Sequence, residues 1–170
     1  HLSFSSNKSM DIFKGWSDYT SRLRDNWQSA VSENDTVVVP GDISWAMNIE
    51  EALNDFKFLN SLNGRKIILK GNHDYWWTTK SKADKFFEAN GLTTLNVLNN
   101  NFYSYEDIGI CGTRGWINDG SEPADAKVIR REAMRLERSI QGAVQSGLYP
   151  VVFMHYPPVF AESINDDIME

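Results

Sequence analysis

Apolar runs along this chain end repeatedly at residues that can bind metal or move protons. Residues 37–40 are followed by Asp42, residues 66–69 by a Gly-Asn-His-Asp turn at 71–74, and residues 151–154 by His155. Short apolar runs of this kind predict buried strands. Open α/β sheets place their chemistry at the carboxyl ends of strands, so these polar residues are the candidate functional residues.

The remaining pattern predicts helices between and after these strands. Helical spacing of apolar residues predicts helices over residues 16–31, 48–63, 81–89 and 123–147. Apolar and alternating runs predict strands over residues 36–40, 66–70, 93–98, 102–105, 108–112 and 151–154. The strands at 93–98, 102–105 and 108–112 have short connections, so we expect them to pair antiparallel. The pattern predicts an α/β fold with a mixed sheet, or two sheets, and helices outside.

The length of 170 residues fits one domain with a substantial core. The chain begins at His1 and stops at Glu170 within patterned sequence, which favours a piece of a longer chain. A net charge of −6 argues against broad binding to nucleic acid, although a phosphate substrate remains compatible with it. The single Cys111 in a predicted strand indicates a buried side chain, a reducing compartment and therefore a cytoplasmic protein. No stretch is long enough to span a membrane.

Three of the strand-end residues form a plausible metal-binding set. Asp42, Asn72 and His155 would supply two oxygens and one imidazole nitrogen. Such mixed ligands suit Mn, Fe or Zn better than Ca or Mg. For Asp42 and Asn72 the alternative is a turn residue that hydrogen-bonds its own backbone, and for any histidine it is a surface or core residue.

Gly41-Asp42, the Gly-Asn-His-Asp turn at 71–74 and the later His155 resemble the signature of the calcineurin-like metallophosphoesterases. The resemblance covers nearly the whole chain and implies a layered α/β sandwich of mixed β-sheets flanked by helices. It also implies a phosphomonoester or phosphodiester substrate and two divalent metal ions. In that family a hydroxide that bridges the metals attacks phosphorus.

The resemblance also implies a role for each matching residue. Asp42 would bridge the metals, Asn72 and His155 would complete one site, and His1 would belong to the other. His73 would protonate the leaving oxygen, and Asp74 would orient its ring. The first-motif aspartate would precede His1, and the family's Gly-His-x-His segment does not occur before Glu170. We therefore expect a single metallophosphoesterase domain that lacks its extreme N-terminus and its C-terminal part.

Residues beside these motifs are candidates for substrate contacts. Tyr75 and Trp76 follow the turn directly and could form a stacking wall, with core packing as the alternative for at least one of them. Trp45 carries the same ambiguity. Arg114 follows another strand and could clamp a phosphate, with a surface ion pair as the alternative.

Three alternatives to a small-ester phosphoesterase remain open from the sequence. A nuclease or cyclic-nucleotide diesterase of the same family would need a basic groove. A scaffold that kept the fold and lost activity would not need the His73-Asp74 pair. An ordinary α/β domain with accidental motifs would keep its properties after metal removal. The sequence leaves the oligomeric state open.

Overall fold

The computed structural model describes residues 1–4, 8–117, 125–160 and 163–169. Contacts divide the chain into two compact units, His1–Val97 and Leu98–Glu170. Each unit contains a three-stranded sheet with helices packed against it. The predicted α/β class, with sheets flanked by helices, is therefore confirmed. The expectation of one domain stays a prediction.

The first unit is built on a parallel sheet. Its elements are a 3₁₀ turn Met10–Ile12, α1 Tyr19–Ala30, β1 Thr36–Val39, α2 Leu53–Asn60, β2 Arg65–Ile68, α3 Lys80–Ala89 and β3 Leu95–Val97. The strand order is β1-β2-β3. β1 and β2 pair in register up to Val39 and Ile68, so both strands end at the same edge of the sheet.

An aromatic cluster fills the core of the first unit. The Phe56 ring lies 4.8 Å from the ring of Trp76 and 5.2 Å from that of Phe87, both in edge-to-face geometry. All three side chains are buried. Burial of each side chain stabilises the fold by roughly 1.5–3 kcal/mol. The cluster fixes α2 and α3 next to the segment that follows β2.

The second unit is built on a mixed sheet. Its elements are β4 Tyr103–Tyr105, β5 Ile108–Thr113, α4 Asp125–Gln145, β6 Tyr149–Met154, β7 Val159–Phe160, β8 Ser163–Ile164 and α5 Asp166–Met169. β4 pairs antiparallel with β5, and β6 pairs parallel with β5 after the α4 crossover. α4 packs closely on β5: there is no room for a Cβ atom on Gly109, which would collide with Ala143. None of the helices in the described ranges, α4 included, is long and apolar enough to cross a bilayer.

Two predicted features differ from the structure. The strand at 93–98 shortens to β3 and pairs parallel with β2 instead of joining an antiparallel group, because α3 supplies the crossover between them. α2 begins at Leu53 and not near residue 48. Asn48 Oδ1 nevertheless accepts a hydrogen bond of 2.9 Å from Glu51 N–H, and Glu51 Oε1 accepts one of 2.7 Å from Asn48 Nδ2. These bonds stabilise a turn that precedes the helix. Pro123, the predicted start of the long helix, lies outside the described residues.

Candidate active site

Two turns meet at the carboxyl edge of the first sheet. Gly41 and Asp42 follow β1, and residues 71–74 follow β2. Gly41 has a φ of 106°, and a Cβ atom there would collide with the backbone of Gly71. A side chain at Gly71 would in turn collide with Asp42. Glycine at both positions therefore allows the two turns to touch.

The carboxylate of Asp74 joins these turns. The residue is only 1% exposed, and its two oxygens accept hydrogen bonds of 2.7–3.3 Å from backbone N–H groups and from an indole. The donors are the N–H groups of Asp42 and Gly71 on Oδ2 and, on Oδ1, those of Ile43 and Ser44 and the Nε1–H of Trp76. Hydrogen bonds to a buried charge are among the stronger ones in proteins. Asp74 therefore fixes the backbone of both turns.

The expected contact between Asp74 and the ring of His73 is wrong. The ring places Nδ1 at 3.2 Å from Asp42 Oδ2 and Nε2 at 3.3 Å from Asn72 Nδ2. Both oxygens of Asp74 are already used by the backbone of the turns and by Trp76. Asp74 is thus a positioning residue, and the carboxylate next to the imidazole is Asp42.

A candidate metal-binding group forms around the carboxylate of Asp42. His1 Nε2 and His73 Nδ1 each lie 3.2 Å from Asp42 Oδ2. One ligand atom from each of these three residues lies within 4.8 Å of the others. His1 Nε2 is buried and makes no hydrogen bond within the described part of the chain. A buried nitrogen of this kind next to a carboxylate oxygen fits a metal ion, and the donor set suits Zn, Fe or Mn.

The group contains two of the four residues that were predicted as metal ligands. The structure brings His1 and Asp42 together as expected, and it adds His73, which was expected to act on the substrate and not as a ligand. Asn72 also lies in this region, with its side-chain amide beside the ring of His73. The roles of His73 and Asn72 as acid and ligand stay predictions.

Backbone hydrogen bonds and an aromatic contact hold His1 in place. Leu2 N–H donates to Ile43 O over 2.7 Å, and Leu2 O accepts from Trp45 N–H over 3.2 Å. The indole of Trp45 stacks on the imidazole of His1, with ring centres 4.0 Å apart and planes inclined by 12°. Trp45 therefore packs against His1, and its role as a substrate contact stays a prediction.

Asp55 connects the same region to α2. Its carboxylate accepts hydrogen bonds from the hydroxyl of Ser44 and, over 2.7 Å, from Phe4 N–H. Burial raises the pKa of Asp55, and these two hydrogen bonds oppose that shift. Neither Asp55 nor its role was predicted, because a lone acid on a helix is usually a solvated residue.

The aromatic residues after the turn have different roles. Trp76 is 2% exposed, donates to Asp74 and packs on Phe56, so the predicted substrate contact of Trp76 is wrong and core packing is correct. Tyr75 is 52% exposed and its ring centre lies 6.3 Å from that of His73. The side chain of His73 is 37% exposed, so a ligand from solvent can reach it. The predicted role of Tyr75 as a substrate contact stays a prediction.

The second unit carries the other two predicted site residues at the ends of neighbouring strands. His155 follows β6, and its ring centre lies 5.0 Å from that of Tyr156. Arg114 follows β5 and lies 3.7 Å from the carboxylate of Glu132 on α4. The predicted roles of His155 as a metal ligand and of Arg114 as a substrate contact stay predictions. Glu132 was not predicted, because its neighbours on α4 look like a solvated charged face.

Comparison with known proteins places these features in a family. The family model of the calcineurin-like phosphoesterases matches residues 11–170. The chain belongs to the calcineurin-like phosphoesterase family. The match includes Asp42, His73 and His155 but not His1, whose assignment therefore depends on its geometry and on the resemblance in the first motif.

Two further comparisons add little to this family assignment. No curated protein matches the chain. A crystal structure of a protein of unknown function from Aquifex aeolicus is similar to it, with 15% identity, 90% of this chain and 87% of that chain covered, and a TM-score of 0.42.

Proposed function

We propose that the protein is a metal-dependent phosphoesterase that hydrolyses a small phosphomonoester or phosphodiester. The observation that carries the proposal is the pair of imidazoles on one carboxylate oxygen, each with a nitrogen 3.2 Å from Asp42 Oδ2. The buried His1 Nε2, which has no hydrogen bond within the described residues, supports a metal ion there. Family membership supports a phosphate ester as the substrate.

Each residue of the site has a role in this proposal. Asp42 and His1 hold divalent ions, which we expect to be Mn, Fe or Zn, with Asn72 and His155 as further ligands. Ions bound at such a site lower the pKa of water and neutralise charge on phosphate oxygens. Asp42 Oδ2 lies 3.2 Å from Nδ1 of His73 and orients the ring, and Nε2, which lies 3.3 Å from Asn72 Nδ2, would donate a proton to the leaving oxygen.

The proposal includes the class of substrate and the compartment. A net charge of −6 supports a small ester over a nucleic acid, because nucleic-acid binding depends on a basic surface. The single cysteine, which is buried, supports a cytoplasmic location. The exposed ring of Tyr75 near His73 supports a substrate with an aromatic or otherwise apolar leaving group.

The test is hydrolysis of p-nitrophenyl phosphate and bis(p-nitrophenyl) phosphate with added Mn²⁺. We expect turnover of at least one ester and a loss of about 10²–10⁴ in kcat in His73→Ala, because general acid catalysis contributes about that much. The matched control is Tyr105→Phe, a change at an exposed position of β4. Mn²⁺ binding, followed by calorimetry, should survive His73→Ala because Asp42 and His1 remain.

The outcomes separate the alternatives. Turnover of the diester alone would identify a phosphodiesterase. If neither ester is cleaved while Mn²⁺ still binds, the hydrolase proposal is contradicted and a metal-binding scaffold is supported. If turnover is unchanged in His73→Ala, the hydrolase stands but His73 is not its general acid.

A further inference from the structure

A buried carboxylate in the second unit is surrounded by arginines. Glu132 is 0% exposed and accepts a hydrogen bond from Arg135 Nη1 over 2.8 Å. Arg114 Nη2 and Arg131 Nε lie 3.7 and 4.0 Å from the same oxygen, Oε1. Its other oxygen, Oε2, accepts from the hydroxyl of Thr113 over 2.6 Å. One carboxylate thus serves three guanidinium groups.

Among the residues that the structure describes, the charges in this cluster do not balance. Three arginines and one glutamate give a formal charge of +3 − 1 = +2. Two of the arginines, Arg114 and Arg135, are largely or partly buried, with side chains 12% and 35% exposed. Burial of a charge is costly unless the charge is paired and hydrogen-bonded. The cluster therefore favours a further anion.

Arg114 is largely buried and, within the described residues, incompletely paired. Its Nε is buried and makes no hydrogen bond within the described residues, and 3.7 Å to Glu132 is too long for a hydrogen bond. The guanidinium lies 4.5 Å from the centre of the Trp116 ring, which holds it in place by a cation–π contact. Burial lowers the pKa of Arg114, against the opposing effects of Glu132 and Tyr156. A held but incompletely paired arginine is typical of an anion-binding residue.

We propose that Arg114, Arg131 and Arg135 bind a phosphate dianion and that Glu132 and Trp116 position Arg114 for it. The charge of +2 matches a phosphate dianion better than a carboxylate monoanion. The planar guanidinium also suits two phosphate oxygens at once. The inference rests on the proposed function only for the identity of the natural ligand, a compound that carries a phosphate group.

The test is a titration of the full chain with inorganic phosphate, after metal has been stripped with a chelator and the chelator removed by dialysis. Arginine Nε–H signals are followed by ¹H–¹⁵N NMR, and Arg114 is assigned from its loss in Arg114→Lys. We expect phosphate to shift the Arg114 signal. Arg114→Lys should weaken binding about tenfold, because it removes a bidentate charge-assisted contact. Arg138→Lys, at an exposed position of the same helix, is the matched control and should leave binding unchanged.

Two further arms make the result decisive. Acetate at equal ionic strength should bind about tenfold more weakly than phosphate. If Arg114→Lys does not fold, the exposed Arg131→Gln takes its place, and it should weaken phosphate binding about threefold because it removes one nearby charge. Equal binding of phosphate and acetate, or unchanged phosphate binding in the variants, would overturn the proposal. Neither metal nor ester is present, so a failure of the proposed hydrolysis would leave this result unaffected.

Discussion

Asp74→Asn should loosen the connection between the two turns of the candidate site. An amide keeps one acceptor oxygen and replaces the other with a donor. With its oxygen at the Oδ1 position it keeps Ile43, Ser44 and Trp76, and it turns its NH₂ group toward the N–H groups of Asp42 and Gly71. The opposite orientation loses three donors. The first orientation therefore loses less stability, because it leaves two N–H donors without an acceptor and not three.

The expected magnitude follows from the two donors that lose their acceptor. A buried N–H group without a partner costs about 1–3 kcal/mol, so Asp74→Asn should lower the free energy of unfolding by about 2–6 kcal/mol. The total stability of a domain of this kind is about 5–15 kcal/mol. For most values of the total stability, the variant should therefore still fold, and its urea midpoint should be clearly lower.

The assay is urea unfolding followed by tryptophan fluorescence and far-UV circular dichroism. The matched control is Asp84→Asn, where the acid is 46% exposed and pairs with Lys80 on the surface of α3. That change should cost less than about 1 kcal/mol. A loss below about 1 kcal/mol for Asp74→Asn would refute the role of Asp74 as the connection between the turns.

Three further changes test other parts of the first unit. Gly41→Ala should lower the free energy of unfolding by about 2–3 kcal/mol, because φ is 106° and the added Cβ collides with Gly71. The control Gly91→Ala, at φ 67°, meets open space and should lower it by about 1 kcal/mol. Both values are measured by urea unfolding. Burial lowers the pKa of Lys66 from 10.5 to about 8, so the folded state binds fewer protons than the unfolded state between these values and stability rises with pH there. Between roughly pH 7.5 and 9.5 the free energy of unfolding should rise in the wild type, and this rise should exceed that of Lys66→Met by about 2 kcal/mol. Equal pH profiles of the two proteins would contradict this prediction. Mn²⁺ at about 100 times its dissociation constant should raise the free energy of unfolding by about 2.7 kcal/mol, and Asp42→Asn should lose most of that gain in a thermal-shift titration.

The strand ends were predictable from the sequence, and the contacts of the charged side chains were not. Apolar runs ending at Asp42 and His73 predicted strands whose polar ends meet at one edge, and parallel pairing of β1 and β2 confirmed this. The pattern also predicted the burial of Cys111. The periodicity of apolar residues predicts which elements form, because each helix or strand buries one apolar face and the spacing of its apolar residues follows from that.

The role of Asp74 depended on directions that no sequence spacing contains. An aspartate next to a histidine suggests a catalytic pair, but the turn aims its carboxylate at backbone N–H groups. Glu132 was missed for a related reason, since helical spacing alone does not show that β5 covers one charged position of α4. Trp45 follows Asp42 closely in sequence, but its stacking on His1 depends on the bridge from Leu2 to Ser44.

The two aspartates of the site bind each other's turns. The carboxylate of Asp42, in the first turn, accepts from the backbone N–H of His73 in the second turn over 3.0 Å. The carboxylate of Asp74, in the second turn, accepts from the backbone N–H of Asp42 over 2.8 Å. Asp42 has a φ of 57°, a conformation that costs a non-glycine residue about 1 kcal/mol or more, and the bond from Asp74 offsets that strain. We therefore expect a change at Asp74 to alter metal binding without touching a metal ligand, because Asp74 holds the backbone that carries Asp42.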